Sequence, residues 1–225
     1  MELNKLYNAD CMQAMKEIPD NYFELALVDP PYGIGADKKN SVEKLQSSKS
    51  ASLSKDYGEK EWDSKTPPIE YFLELKRVSK NQIIWGVNYY PYDLFVGGRI
   101  YWNKNVSMPT YSDGELAYCS CINSNKSFSY TWHGMLQGNM KDKEVRIHPT
   151  QKPVALYEWL LQHYAKEGDK ILDTHVGSGS SLIACYNMGF DYVGYEIDKD
   201  YFEGACKRIE EVKAQIRFSD LREIQ

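Results

Sequence analysis

Short apolar segments alternate with amphipathic segments along most of this chain, and this alternation limits the possible folds more than any other feature. Strand-like segments such as Phe23–Val28 and Lys170–Asp173 are separated by segments with helical spacing, among them Ile69–Val78 and Ser180–Met188. Strands that alternate with helices form parallel sheets, because each helix returns the chain to the same end of the sheet. We therefore predict an α/β fold with a mostly parallel sheet of about seven strands and helices on both faces.

The composition is that of one folded domain. The 225 residues are 42% hydrophobic and 26% charged, which is sufficient for an ordinary core. The apolar runs are too short to cross a membrane, and no basic and apolar leader opens the chain. Five cysteines without Cys-x-x-Cys spacing and four histidines give no metal-site pattern. We expect a single cytoplasmic domain, 1–225, with reduced thiols, no membrane segment and no metal.

The charge distribution gives weak evidence about partners. A net charge of −5 does not by itself favour a nucleic-acid partner. Residues 37–65 and 99–152 are slightly basic, however, whereas both flanks are acidic. Eighteen tyrosines and five tryptophans add rings that usually pack in a core but can also stack on bases.

Two segments interrupt the alternation of strands and helices. Residues 33–65 are polar, rich in Ser and Lys, and too long for a tight connection. Such loops are typically functional lids or disordered segments. Residues 122–147 show little periodicity. Within the single domain we interpret 33–65 as a mobile lid loop and 122–147 as a small insertion.

A glycine turn between a predicted strand and a predicted helix is the first candidate site. The strand ends at Asp173, and Gly177-Ser178-Gly179-Ser180 leads into the helix. Glycine lets the backbone approach a ligand closely, and the helix N-terminus adds free N–H groups. Glu196 ends the next strand 19 residues after Gly177, a spacing typical of an acid that binds the ribose of an adenosine cofactor. A glycine turn that serves only packing is the structural alternative. A dinucleotide-dependent dehydrogenase is another alternative, but Leu182 stands where its pattern has the third glycine.

The second candidate site is Asp29-Pro30-Pro31-Tyr32, directly after the strand Phe23–Val28. Two consecutive prolines end a strand and stiffen the backbone, so Asp29 and Tyr32 are held at a fixed separation. They lie at the carboxyl end of the strand, where open α/β sheets bind ligands. An ordinary Pro-Pro turn is the alternative, but it leaves the flanking acid and aromatic ring unexplained.

Asp29-Pro30-Pro31-Tyr32 resembles the catalytic motif of the methyltransferases that modify exocyclic amino groups in DNA. Other segments resemble the same family in the same order: Asn8-Ala9-Asp10, then 82–90, 101–104, 112–117, His148-Pro149-Thr150-Gln151-Lys152-Pro153, the glycine turn and Glu196. The catalytic half precedes the cofactor half, which is the permuted order of the β class. The resemblance extends from about Leu6 to Arg208, and compact chains of this kind resemble phage or prophage enzymes. It implies a Rossmann-like methyltransferase fold.

The activity that the resemblance implies is methyl transfer from S-adenosylmethionine to the N6 amine of adenine in double-stranded DNA. The Asp29 carboxylate and the Pro30 carbonyl would accept the two amine hydrogens, which localises the nitrogen lone pair and aims it at the methyl carbon. The base must leave the duplex to be reached, and Tyr32 is the ring expected to stack on it. No covalent intermediate on the enzyme is required. Catalytic candidates are Asp29, Pro30, Pro31 and Tyr32.

The same resemblance assigns the cofactor contacts. Glu196 would bind the ribose, Asp10 the adenine amino group, and the glycine turn the methionyl part. The full set of candidate cofactor-binding residues is Asp10, Asp29, Thr150, Lys152, Asp173, His175, Gly177, Ser178, Gly179, Ser180 and Glu196. One departure is Thr174-His175, where the family usually has Pro-Phe. His175 either packs over the cofactor or only fills the turn.

Recognition of DNA is expected from the two irregular segments. The 33–65 loop would close over DNA, and 122–147 is a small candidate target-recognition segment. Candidate DNA-binding residues are Lys38, Lys39, Lys44, Lys49, Lys55, Lys104, Lys141, Lys143 and Arg146. So short a segment predicts a short or relaxed recognition sequence, with the help of a possible homodimer. Trp62-Asp63 resembles a landmark of these enzymes near the lid, or else caps a helix.

Other functions are also compatible with the sequence. Cytosine N4 methylation is the first alternative, because the exocyclic amines of cytosine and adenine can reach the motif in the same way. In the family that the sequence resembles, however, Asp at the first motif position is more typical of enzymes that act on adenine. RNA is a less favoured substrate. A protein of a different class, which binds S-adenosylmethionine or DNA without catalysis, is the second alternative. The intact motif at Asp29 argues against it.

Overall fold

The computed structural model describes residues 1–36, 60–107, 112–133 and 135–222. Residues 37–59 of the predicted lid loop lie outside the described residues, and so do five of the lysines expected to contact DNA: Lys38, Lys39, Lys44, Lys49 and Lys55.

Eight strands of the described chain form one mixed sheet in the spatial order β1-β10-β9-β2-β3-β5-β4-β6. Their bounds are β1 Lys5–Asn8, β2 Phe23–Val28, β3 Ser79–Trp85, β4 Gly98–Asn103, β5 Gly114–Cys119, β6 Asn125–Ser129, β9 Lys170–Asp173 and β10 Asp191–Glu196. All neighbours from β1 to β3 pair in parallel, and β5 is antiparallel to both of its neighbours. The prediction of a mostly parallel α/β sheet is confirmed, with eight strands rather than about seven.

Helices cover both faces of this sheet. They are α1 Cys11–Lys16, α2 Ile69–Val78, α3 Val154–Tyr164, α4 Ser180–Met188 and α5 Lys199–Arg222. Ala26 and Val28 of β2 pack in the same buried cluster as Phe72 of α2. The alternate residues Leu25 and Leu27 pack in the opposite cluster, with side chains of α3, α4 and α5. Both faces of β2 are therefore buried, which explains why its sequence is almost continuously apolar.

The 122–147 segment divides into two parts in the structure. Its first part supplies β6, which extends the main sheet by pairing in parallel with β4. Its second part contains a small antiparallel pair, β7 Trp132–His133 and β8 Leu136–Gln137. Within the described ranges, no helix is long and apolar enough to cross a membrane.

The sheet order brings the two sequence motifs together. The strand before the glycine turn, β9, pairs directly with β2, the strand before Asp29, with Ala26 opposite Leu172. Because the two strands are parallel, Asp29 and the glycine turn both emerge at the carboxyl edge of the sheet. Ligands of open α/β sheets bind at this edge.

Candidate active site

A cavity at this edge joins the two motifs. We call it the turn cavity; its walls include Asp29, Lys152, Gly177, Ser178, Ser180 and Glu196. The glycines adopt positive φ, +53° at Gly177 and +83° at Gly179, a conformation that residues with a Cβ rarely adopt. Gly179 directly precedes α4, whose N-terminal residue Ser180 faces the cavity. The turn cavity therefore contains both the glycine-turn residues, which are expected to bind a cofactor, and Asp29, which is expected to bind the substrate amine.

A second cavity continues from the first towards β1. This Asp10 cavity is lined by Asp10, Pro31, Tyr71, His175 and Glu196, among others. Glu196 and His175 line both cavities. The two cavities form a trough that runs from Asp10 past Glu196 to Asp29. Residues predicted to contact the adenine, the ribose and the methionyl part of a cofactor therefore line this one trough.

Glu196 is held in place by two backbone N–H groups at the middle of the trough. Its carboxylate accepts hydrogen bonds from the Gly177 amide at 2.7 Å and the Asp198 amide at 2.8 Å. Burial raises the pKa of this carboxyl group, against the effect of these donors. The glycine turn and the carboxylate thus fix each other's position.

Two of the predicted cofactor residues line neither cavity. Asp173 lies behind the turn, 2% exposed, and accepts hydrogen bonds from the His175 amide and the Ser181 hydroxyl. Burial raises its pKa to about 7. Gly179 faces Ala205 of α5 instead. Both residues shape the turn that presents Gly177 and Ser180.

His175 shows features of both of its predicted alternatives. It lines the trough, and its ring also packs edge-on against Tyr71 at 5.2 Å. Burial lowers its pKa to about 4, so the imidazole is neutral at physiological pH. A neutral ring in this position offers a flat, uncharged wall to a ligand.

The carboxylate of Asp29 is surrounded by charged and polar side chains. Lys152 Nζ lies 2.5 Å from Asp29 Oδ2, and the Tyr32 hydroxyl donates to Oδ1 at 2.6 Å. Glu115 Oε2 lies 2.8 Å from the same Lys152 nitrogen, and Glu115 Oε1 lies 2.5 Å from Lys104 Nζ. Two carboxylates and two ammonium groups balance each other in this buried cluster.

The pKa values in this cluster differ between the two acids. Burial raises the pKa of Asp29, although Lys152 opposes the shift. For Glu115, burial opposes ionisation, but Lys152 and Lys104 outweigh it and lower the pKa to about 2. Burial also disfavours the Lys152 ammonium group, yet Asp29 and Glu115 together raise its pKa. Glu115 is the stronger acid of the pair.

A wider opening, the Tyr32 cleft, lies on the other side of Asp29. Besides Asp29 and Tyr32, it is lined by Pro30, Tyr89, Lys104 and Glu115. The Tyr32 ring stacks on Tyr89 with centroids 4.9 Å apart and planes 13° from parallel. The Pro30 carbonyl accepts a hydrogen bond from the Tyr90 hydroxyl at 2.9 Å, which leaves one of its two lone pairs for another donor.

Residues 60–63 form a strap between the two openings. Asp63 is 1% exposed and accepts hydrogen bonds from the amides of Tyr32, Gly33 and Ala36. Lys60 pairs with Asp198 at 2.8 Å and Asp200 at 2.6 Å, just beyond Glu196. The Trp62 ring lies 4.9 Å from that of His148, within the wall of the turn cavity. The strap therefore ties the catalytic motif to the far rim of the trough.

We expect Asp63→Ala to lower the free energy of unfolding by about 3 kcal/mol. The substitution leaves three backbone N–H groups without their carboxylate acceptor, and each such loss typically costs about 1–3 kcal/mol when water cannot replace it fully. Urea unfolding measures the change. Asp113→Ala, at an exposed position, is the control. An equal midpoint for the two variants would contradict the bracing role of Asp63.

Sequence reasoning missed several residues of the site. The sequence places Glu115, Tyr89 and Tyr90 within motif segments but gives no role to any of them. Lys104, expected to contact DNA, pairs with Glu115 in the wall of the Tyr32 cleft. A signal for Glu115 was present, because it is an acid at the start of an otherwise apolar strand.

The remaining candidate DNA-binding residues are distributed differently. Lys141 and Lys143 are exposed beyond β8. The Arg146 guanidinium lies over the Trp132 ring, 4.4 Å from its centroid. In the described part of the chain, no group of His, Cys, Asp and Glu side chains is arranged to hold a metal ion.

The chain is similar to known DNA methylases. A family model described as DNA methylase, N6_N4_Mtase, matches residues 104–207. The Type II methyltransferase M.HinfI of Haemophilus influenzae is 26% identical over 94% of this chain and 69% of its own length. M.HpaI of Haemophilus parainfluenzae is 25% identical over 92% and 74%, respectively. M2.DpnII of Streptococcus pneumoniae is 37% identical over 40% of this chain and 33% of its own length.

Solved structures agree on the fold. The M1.HpyAVI–SAM complex superposes with a TM-score of 0.57 and 22% identity, covering 91% of this chain and 98% of that one. The cytosine-N4-specific PvuII DNA methyltransferase superposes with a TM-score of 0.58 and 12% identity, covering 94% and 92%. These likenesses establish a Rossmann-like α/β architecture for the chain.

Proposed function

We propose, from the site geometry and from the similarity to DNA methylases, that this chain transfers a methyl group from S-adenosylmethionine to the exocyclic N6 amine of adenine in DNA. One observation carries the proposal: Asp29 lines both the turn cavity and the Tyr32 cleft. A carboxylate in that position can contact a cofactor on one side and a base on the other. Direct transfer between two ligands requires such an arrangement.

The Tyr32 cleft suits a base that has been flipped out of the duplex. Tyr32 and Tyr89 supply aromatic faces, and Tyr89 is 40% exposed. The Asp29 carboxylate and the free lone pair of the Pro30 carbonyl would accept the two amine hydrogens. That contact localises the nitrogen lone pair for attack on the methyl carbon. The methylated nitrogen then loses its extra proton to solvent or to a nearby proton-accepting group.

The trough suits S-adenosylmethionine, which supplies an electrophilic methyl group when bound. Glu196 lies where a ribose would need an acceptor, and Asp10 lies at the end where an adenine amino group would need one. The Asp10 carboxylate already accepts a hydrogen bond from the Met12 amide at 2.7 Å, so its orientation is fixed. Gly177 and Ser180 would border the methionyl end.

Mass spectrometry of nucleosides tests the reaction. Unmethylated DNA is incubated with the protein and S-adenosylmethionine, digested, and analysed for methylated bases. We expect N6-methyladenine. N4-methylcytosine in its place would establish the first alternative, and cofactor binding without any methylated base would establish the non-catalytic one.

We expect Glu196→Ala to weaken cofactor binding about 10–100-fold. A hydrogen bond to a charged group contributes roughly 1.5–3 kcal/mol, and the loss of the carboxylate also frees the Gly177 amide. Isothermal titration with S-adenosylmethionine measures the dissociation constant. Glu203→Ala is the matched control, because that side chain is 63% exposed on α5. Equal affinities for the two variants would remove Glu196 from the cofactor site.

Target recognition is proposed for the part of 122–147 that lies beyond β6. The described residues there include exposed apolar side chains, Met135 at 67% and Leu136 at 52%, followed by exposed Lys141 and Lys143. Apolar wedges flanked by cations are suited to DNA grooves. A segment this short supports a short or relaxed recognition sequence, and a homodimer would extend it. Sequencing of methylated genomic DNA from a host that expresses the protein in its cytoplasm measures the recognition sequence. A site longer than about six base pairs would contradict the proposal of a short or relaxed sequence.

A further inference from the structure

Asp29 shares both of its donors with a second carboxylate. Lys152 Nζ lies 2.5 Å from Asp29 Oδ2 and 2.8 Å from Glu115 Oε2. The Tyr32 hydroxyl lies 2.6 Å from Asp29 Oδ1 and 3.1 Å from the same Glu115 oxygen. The four side chains therefore form a closed ring in which each donor contacts both acids.

These hydrogen bonds to Asp29 compete with the role proposed for its carboxylate. The carboxylate must polarise a substrate amine, yet an ammonium group and a hydroxyl group already draw charge from its two oxygens. The Lys152 side chain is only 2% exposed. A buried ammonium group cannot leave one anion without a strong penalty unless another anion replaces it. The amine can compete for Asp29 only if Lys152 has a second partner within reach.

We propose that Glu115 is a positioning residue for methyl transfer, which takes over Lys152 and the Tyr32 hydroxyl when the amine of the flipped base reaches Asp29. The inference rests on the proposed function and adds a residue to it. Only hydrogen-bond partners change in this step: Lys152 and Tyr32 shift their donors towards Glu115 Oε2, and Asp29 turns its freed lone pairs to the amine. No proton or covalent bond is transferred.

The position of Glu115 suits this exchange. Its second oxygen, Oε1, is held by Lys104 at 2.5 Å, which leaves Oε2 directed at the ring. Glu115 lies near the start of β5, and Trp102 of the antiparallel β4 is opposite it. The antiparallel direction brings the first residues of β5 to the edge where the parallel strands end. Lys152 and Lys104 keep the pKa of Glu115 low despite its burial, so it stays an anion throughout.

Glu115→Gln tests the inference because it keeps the size of the side chain and removes its charge. We expect kcat for N6 methylation to fall about 30-fold, which corresponds to about 2 kcal/mol in the barrier. The KM for DNA and the dissociation constant of S-adenosylmethionine should stay within about twofold of wild type. Glu70→Gln, an exposed glutamate in the first turn of α2, is the matched control. A wild-type kcat for Glu115→Gln overturns the inference.

Glu115→Asp separates charge from packing. The shorter side chain leaves a gap but keeps the carboxylate, so kcat should recover to within about fivefold of wild type. A purely structural role predicts the reverse order, with Asp slower than Gln. This second variant tests the positioning role even if Glu115→Gln does not fold. A fall in kcat of more than about thirtyfold in Glu115→Asp would also contradict that role. Absence of N6-methyladenine with wild-type protein, by contrast, would overturn the proposed function itself.

Discussion

Asp29→Ala is expected to reduce methyl transfer to adenine by at least about 10³-fold. Loss of a single preorganised electrostatic contact in an active site typically costs about 10²–10³ in kcat, and here the carboxylate also fixes Lys152 and Tyr32. Without Asp29, the amine has only the Pro30 carbonyl to accept a hydrogen bond. Transfer of radiolabelled methyl groups to unmethylated DNA measures the effect under single-turnover conditions.

Cofactor titration accompanies this experiment, because Asp29 also borders the turn cavity. We expect the affinity for S-adenosylmethionine to change far less than the rate, since most of the trough wall belongs to other residues. Asp113→Ala, on the exposed approach to β5, is the matched control for the loss of one carboxylate. Substantial activity in Asp29→Ala would contradict the mechanism.

Gly86→Ala is expected to lower the methylation rate about 100-fold and the free energy of unfolding by about 2 kcal/mol. Gly86 has a φ of +72°, and a Cβ at this position would lie 2.1 Å from Cε1 of Tyr32. The ring must therefore shift from the position in which it contacts Asp29 and Tyr89. Rate measurements and urea unfolding report the two effects separately.

Gly168→Ala isolates the backbone contribution to this result. Gly168 also has a positive φ, +84°, but a Cβ there meets no atom within 4 Å. We expect the free energy of unfolding of this control to fall by about 1 kcal/mol and its methylation rate to stay unchanged. If Gly86→Ala loses stability to the same extent and keeps its full rate, contact between Gly86 and the Tyr32 ring has no role in catalysis.

The sequence was sufficient for the parts of the fold with strong local signals. The bounds of β2, β9, α2 and α4 agree with the predicted ones, because a proline or glycine stands next to or near at least one end of each apolar pattern. The edge strand β6 could not be found in this way. Its residues, Asn125–Ser129, are mostly polar and exposed, and they form a strand only because β4 offers an unpaired edge.

The site could likewise be predicted from the sequence only where local motifs define it. The motifs showed that Asp29 and Gly177 would meet, since both follow strands that end at the same edge. The roles of Glu115 and Asp63 depend instead on contacts across long intervals of chain, from Glu115 to Lys152 and from Asp63 to Tyr32. Spacing along the sequence carries no information about such pairs. Asp173 shows the converse, because it stands within a motif and yet lies behind the cavity wall.

The strap of residues 60–63 has a consequence for how the two openings respond to each other. Asp63 anchors the backbone of Tyr32, while Lys60 pairs with Asp198 and Asp200 beside the trough. A displacement at one end of so short a segment is passed to the tyrosine that faces the other opening. We therefore expect binding in the trough and binding in the Tyr32 cleft to influence each other.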